Sequence, residues 1–282
     1  MEYDVQLKND RLLHVNDSGG EGLAVIGVHG LTGNHKQLQF FYEAIGENYR
    51  MITYDLLGRG LSSEAGEESS IGDHARDLID LIETLKLEKV VLLGYSIGAF
   101  ICSQAASQSD NVEALILLDG AGVPDKGQKD MILPSLSRVE KRYSSPEDYI
   151  EQTREAYEKI GIEWTSHHET IARYEIQEVK GGWIHRSKAD VLKSDFDSFF
   201  TFDHQKVFEN IFCPTLLIIA TGKMNGQRPL FLKESFNILE ELIENLRIKH
   251  TKANHLTLVF NKQTEVNESV MTFLREVRKG GQ

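Results

Sequence analysis

The chain has 282 residues, 40% hydrophobic and 26% charged, with 23 glycines and only 5 prolines. That is enough to bury a core and fold alone, and it excludes collagen-like, low-complexity and disordered chains. Forty-three acidic against 31 basic residues give a formal net charge of -12, which repels polyanions and argues against nucleic acid or acidic membrane surfaces as partners. No apolar run approaches the roughly 18 residues of a membrane span, and Met1, Glu2, Tyr3 and Asp4 lack the basic-then-apolar form of a secretion signal. The expected compartment is the cytoplasm. Cys102 and Cys213 are far apart and have no CxxC partner, so neither a disulfide framework nor a zinc cluster is expected.

The elements follow in chain order. Between Val5 and Val15 two alternating segments are interrupted by Asn9 and Asp10, as by a hairpin turn, which predicts an antiparallel strand pair at a sheet edge. Short apolar runs follow at residues 23–28, 51–55, 90–93, 114–118, 215–220 and 246–250. Runs this apolar suit strands buried on both faces, the mark of a parallel sheet. Between the second and third, Ile71, Ala75, Leu78, Ile79, Ile82 and Leu85 share one helical face. The chain reads as βαβ units, a sheet between helices.

That rhythm stops after Asp119. Residues 123–204 contain no strand-like apolar run, and aromatic residues such as Tyr143, Tyr149, Trp164 and Phe196 are scattered through charged, helix-favouring sequence. This predicts a helical insertion at 123–204 dividing a core made of 1–122 and 205–282. Because the buried-strand pattern resumes at Thr215, the insertion leaves and rejoins one sheet.

The strongest chemical signal is Gly94, Tyr95, Ser96, Ile97, Gly98, directly after a predicted strand and opening a predicted helix. A serine on such a tight turn has its hydroxyl pushed out above the sheet, and the small flanking residues let the turn form. Serine alone is a poor nucleophile and needs a base, normally histidine. Of the ten histidines, His255 is the candidate, since it follows the last predicted strand, where the end of a parallel sheet presents it beside Ser96. His29, at the end of an early strand, is read as structural. The loop after it, Gly30 to Gly33, allows close backbone approach, so the Leu31 amide is expected to serve an oxyanion together with the amide after the nucleophile, Ile97.

These residues resemble the α/β-hydrolase superfamily, in particular its capped small-molecule hydrolases. The resemblance extends to the His29–Gly30 loop, to Asp55, Leu56, Leu57, Gly58, Arg59, Gly60, Leu61, Ser62 after a strand, and to the strand at 215–219, in the family's order over nearly the whole chain. It implies a mostly parallel eight-stranded sheet flanked by helices, a helical cap over the active site, and a Ser, acid, His triad with no metal and no cofactor. The acid usually sits in a G-x-x-D turn after the strand 215–220, yet this chain reads Gly222, Lys223, Met224, Asn225. Some members, certain lactone hydrolases among them, carry the acid one strand earlier, and that position here is Asp119.

Two weaker features remain. His167 and His168 have no partner at metal-ligand spacing. Gly181, Gly182, Trp183, Ile184, His185, Arg186 is similar to the glycine-then-aromatic turn of such caps, which makes Trp183, His185 and Arg186 candidates for facing substrate. The expected function is hydrolysis of a carboxylic ester, lactone or amide of a small molecule through an acyl-enzyme on Ser96. Carbon–carbon bond hydrolysis by the same triad and a ligand-sensing role are the alternatives. Haloalkane dehalogenation is disfavoured, because it needs a carboxylate where this chain has Ser96.

Overall fold

The computed structural model describes residues 1–66, 68–224 and 226–280. The chain opens with the antiparallel pair β1 (Glu2–Gln6) and β2 (Leu12–Asp17), with Tyr3 opposite Val15. Then come β3 (Ala24–Val28), α1 (Gln39–Gly46), β4 (Arg50–Tyr54), α2 (Ile71–Thr84), β5 (Val90–Tyr95), α3 (Ile97–Ala106) and β6 (Val112–Leu118). After a long excursion the chain returns with α8 (His204–Phe208), β10 (Thr215–Ala220), α9 (Asn237–Leu242), β11 (Leu246–Thr251), α10 (Thr257–Phe260) and α11 (Thr264–Gly280). Eight of these strands form one sheet in the order β1-β2-β4-β3-β5-β6-β10-β11, parallel from β4 onward, with the antiparallel pair at one edge as the early alternation predicts.

Both faces of the sheet are covered, which is why its central strands are apolar throughout. In β5, Val90 and Leu92 enter one core with α2 and α3, while Val91, Leu93 and Tyr95 enter the other with α1 and α11. The alternation follows from the two-residue period of a strand. Helix α3 is apolar on nearly every side and correspondingly buried. Helix α2 buries the predicted Ile71, Ala75, Leu78 and Ile82, and it also buries His74 and Asp77, which the apolar pattern does not anticipate.

Between β6 and β10, neighbours in the sheet, the excursion consists of α4 (Lys126–Glu140), β7 (Arg142–Tyr143), α5 (Pro146–Lys159), α6 (Ser166–Glu175), β8 (Ile176–Val179), β9 (Gly182–His185) and α7 (Ala189–Asp197). It is mainly helical, as expected, with one addition. β7, β9 and β8 pair into a small antiparallel sheet. The apolar-run criterion misses these strands because they are two to four residues long and mix polar with apolar side chains. The β8–β9 turn is made possible by Gly181 and Gly182, at φ of 89° and 139°. Helix α5 starts where Ser145 caps it, accepting from the Asp148 amide, with Pro146 in the first turn.

Candidate active site

The parallel strands end on one rim of the sheet, and three side chains meet there. Ser96 follows β5 with φ 56° and ψ −118°, a conformation that turns the chain abruptly into α3. The flanking glycines are there for space. A Cβ on Gly98 would lie 2.2 Å from the Val28 carbonyl oxygen, and one on Gly94 would lie 2.2 Å from that of Gly98. The Ser96 amide donates to the Leu118 carbonyl at 3.0 Å, which fixes the elbow to the end of β6.

Asp119 is the next residue along β6, held at φ 44°. Its amide donates to the Ile218 carbonyl (2.8 Å), and its Oδ1 accepts from the Ala220 amide (3.0 Å), so two backbone bonds to β10 leave Oδ2 free to face His255. His255, in the loop after β11, has Nδ1 2.7 Å from that Oδ2 and Nε2 3.1 Å from Ser96 Oγ. With Nδ1–H donating to the carboxylate, Nε2 carries the lone pair that accepts the serine proton. All three residues are buried, Asp119 completely. The alternative acid position, Asn225, lies outside the described residues.

Tyr95 belongs with them, although the sequence pattern leaves it as a filler residue. Its ring stacks on His255 at 4.8 Å with 29° between the planes, and its hydroxyl donates to the His255 carbonyl at 2.9 Å. Burial, then the nearby Asp119, pushes the Tyr95 phenol well up, so it stays a neutral donor. The only sequence sign is an aromatic at the first x of G-x-S-x-G.

The loop after β3 is built around one peptide. The His29 ring accepts the Leu56 amide proton at Nε2 (3.0 Å), so Nδ1 carries the hydrogen and donates to the Gly30 carbonyl (2.7 Å). Burial holds this imidazole neutral, with its pKa pushed down to about 3. The Gly30 carbonyl and the Leu31 amide sit on opposite sides of one trans peptide, so anchoring the carbonyl aims the Leu31 N–H the other way. The Gly30 amide is itself fixed by Gln37 Oε1 at 2.7 Å. The Ile97 amide opens α3, where a helix has no internal acceptor for it.

Gly30, Leu31, Tyr95, Ser96 and His255 line a cavity of about 120 Å³, closed on the apolar side by Met131 and Ile132 of α4, Phe199, Met224, Leu230 and Leu256. A larger groove of about 440 Å³ between β11 and α11 is open surface and holds none of these groups. Trp183, His185 and Arg186 are not among the cavity's lining residues. Trp183 packs half-buried against the small core of Tyr143, Tyr149 and Ile176. His185 accepts from the Ser187 amide at Nδ1 (3.0 Å), and burial lowers its pKa to about 3. Arg186 donates to the Tyr174 carbonyl at 3.0 Å. Pairing β9 with both β7 and β8 draws these side chains into the small sheet.

Among the described residues, no group of three or more His, Cys, Asp or Glu is arranged to hold a metal ion. Among them, too, no helix is long and apolar enough to cross a membrane.

Comparison with known proteins agrees with this architecture. The sequence profile of the α/β hydrolase fold matches residues 24–148. The crystal structure of E-2-(acetamidomethylene)succinate hydrolase superposes with a TM-score of 0.81, covering 98% of this chain and 99% of that one at 18% identity. The chain has the α/β-hydrolase fold. In sequence, N-formylmaleamate deformylase of Pseudomonas putida is 27% identical over 207 residues, 72% of each chain. An uncharacterized protein of Mycobacterium tuberculosis is 30% identical over 105 residues, which cover 37% of this chain and only 31% of that protein. (E)-2-((N-methylformamido)methylene)succinate hydrolase of Acinetobacter baylyi is 29% identical over 120 residues, 41% of this chain and 44% of that protein.

Proposed function

We propose that this protein is a serine hydrolase that cleaves a carboxylic ester, lactone or amide bond of a small molecule through an acyl-enzyme on Ser96. The observation that carries the reading is the continuous hydrogen-bond chain from Ser96 Oγ through His255 to Asp119. In the first half-reaction Ser96 Oγ attacks the carbonyl carbon while His255 Nε2 takes its proton, and Asp119 stabilises the resulting imidazolium. The carbonyl oxygen becomes an oxyanion received by the Leu31 and Ile97 amides. His255 then returns the proton to the leaving oxygen or nitrogen as the bond to it breaks. Water repeats the sequence to release the acid and restore Ser96.

The size of the cavity narrows the substrate. An engineered cavity of about 150 Å³ admits benzene, so the roughly 120 Å³ beside Ser96 favours a small acyl group. A short acyl group on Ser96 fits that space, and the name of the Pseudomonas relative, a deformylase, points the same way. Inserted residues Met131, Ile132 and Phe199 supply much of the wall, so we assign 123–204 the role of a cap.

A fluorophosphonate probe on the wild type and on Ser96→Ala tests the mechanism. Labelling at Ser96 is expected in the wild type alone. A panel of esters, lactones and amides of graded acyl length then tests the substrate class, with turnover expected to fall beyond butyryl. Failure of the folded wild type to label would overturn the reading. Labelling without turnover of any panel member would favour a ligand-sensing role.

A further inference from the structure

Arg59 is among the largest fully buried side chains of the protein, and its partner Asp195 is equally enclosed. They come from different places: Arg59 from the loop after β4, Asp195 from α7 of the insertion. Nη2 of Arg59 is 2.5 Å from Asp195 Oδ2. The rest of the guanidinium is spent on backbone, with Nη1 donating to the Leu57 carbonyl (3.0 Å) and Nε to the Leu31 carbonyl (3.2 Å). Asp195 Oδ2 also faces His74 Nε2 of α2 at 3.1 Å, and His74 is 3.2 Å from Ser69 Oγ. Two further bonds fasten the same stretch, Ser194 Oγ to the Ser69 carbonyl and the Ile71 amide to Ser198 Oγ.

A buried ion pair is weak ground for stability, because taking both charges out of water costs about as much as their attraction returns. What the pair contributes here is register. We propose that Arg59 is a positioning residue that sets the oxyanion loop against the inserted segment, holding the peptide after Leu31 through the same guanidinium that Asp195 holds from α7. The proposal rests on the serine-hydrolase reading for its kinetic consequence. The Leu31 amide and carbonyl flank one α-carbon. His29 fixes the peptide before it and Arg59 the peptide after it, and only the second anchor is tied to the insertion. Seating of α7 and alignment of the Leu31 N–H are thereby one event.

The test uses the full-length protein. Arg59→Met with Asp195→Leu replaces the pair by apolar groups of similar size, a change that buried pairs tolerate, and Asp195→Asn is the milder companion should the double variant fail to fold. With active-site concentration set by fluorophosphonate titration, the double variant is expected to lose about 100-fold in kcat, as when an oxyanion donor is removed or misplaced by about 1 Å. KM should change less than threefold. Asp195→Asn, which leaves the guanidinium on Leu31, should lose less. Amide hydrogen exchange across 29–34 should rise at least tenfold in the double variant, with β5 and α3 unchanged. A folded double variant with kcat within threefold of wild type, a loss confined to KM, or unchanged exchange across 29–34 would each overturn the proposal. Failure of the serine-hydrolase reading would look different. The wild type would neither label nor turn over, and the exchange measurement would still decide whether Arg59 anchors the loop.

Discussion

The rim of the main sheet and the inserted segment both bury polar side chains, but they hold them differently. On the rim, the groups around the Ser96–His255 pair are pinned by backbone: Asp119 by the Ala220 amide, His29 by the Leu56 amide and Gly30 carbonyl, Gln37 by the Gly30 amide. In the insertion three prominent contacts run from side chain to side chain. Tyr149 donates to Glu175 within the segment, while Tyr174 reaches Asp55 (2.5 Å) and Asp195 reaches Arg59 in the core, 119 and 136 residues away. Ser96 and His255 are just as far apart in sequence, yet each rides on a strand end whose neighbours the sheet dictates. The rim is therefore held largely by the backbone of the sheet, whereas the insertion is also held by side-chain pairs, each of which can be tested on its own.

The largest expected effect belongs to the rim. Ser96→Ala should lower kcat by about 10⁶ while leaving the melting temperature nearly unchanged, since the side chain projects into a cavity and packs little. Single-turnover kinetics against a thermal melt check both halves, and retention of more than about a thousandth of kcat would break the covalent mechanism. Asp119→Asn comes next. The new side chain can keep the Ala220 amide bond through its oxygen, but its NH₂ faces His255 Nδ1 and favours the wrong tautomer, at a cost of up to about 10⁴ in kcat. Near-normal turnover at neutral pH would point to another carboxylate beside His255.

This difference between the regions also explains what could be read in advance. The strands at 215–220 and the G-x-S-x-G elbow are legible because local rules favour them: a short apolar run bounded by turn residues suits a strand buried on both faces, and the crowded turn needs glycine two positions to either side of Ser96. His255 follows from its position after the last strand. Asp119 is reached only through the family resemblance, since an aspartate ending a strand is unremarkable in itself until the sheet order puts β6 beside β10 and its Oδ1 on Ala220. Tyr95, Arg59 and His74 escape for the same reason, each drawing its role from a partner far off in sequence. Trp183, His185 and Arg186 carry a suggestive local pattern, but their surroundings are set by the pairing of β9 with β7 and β8, which no short motif encodes.

A smaller effect is expected from the pairs inside the insertion. Glu175 is buried against the Tyr149 hydroxyl, with Arg138 Nη2 at 4.0 Å and His185 Nε2 at 3.9 Å. Burial raises its carboxyl pKa, against the pull of Arg138 and Tyr149. Glu175→Gln keeps the shape and one hydrogen bond but removes the charge facing Arg138, and should cost about 1–3 kcal/mol of stability. Urea unfolding measures it. In the same variant kcat should stay within a few fold of wild type, and a fall comparable to that of Asp119→Asn would show that the insertion is as tightly coupled to the chemistry as the rim.

The effect that is smallest near neutral pH is one of proton binding, and it sets one histidine from each region side by side. His29 on the rim and His185 in the insertion are both buried, both neutral and both lowered by burial to about 3 from an ordinary 6.5. Between those values the unfolded chain binds protons that the folded protein refuses, so stability falls as pH drops from about 6.5 toward 3, by up to about 1.4 kcal/mol per pH unit for each imidazole. Asp55 acts in a lower window. Burial would raise it, but hydrogen bonds from His35 and Tyr174 bring it down to about 2 from 3.8, so its contribution is lost only as pH falls from about 4 through 2. His185→Asn tests the assignment cleanly, because the asparagine oxygen can take over from Nδ1 the hydrogen bond of the Ser187 amide without binding a proton. Urea unfolding at pH 7, 6, 5 and 4 should give the wild type the steeper loss of stability, with little difference at pH 7. Parallel curves for the two proteins would mean that His185 takes up its proton in the folded state, and that the small sheet is open enough to admit one.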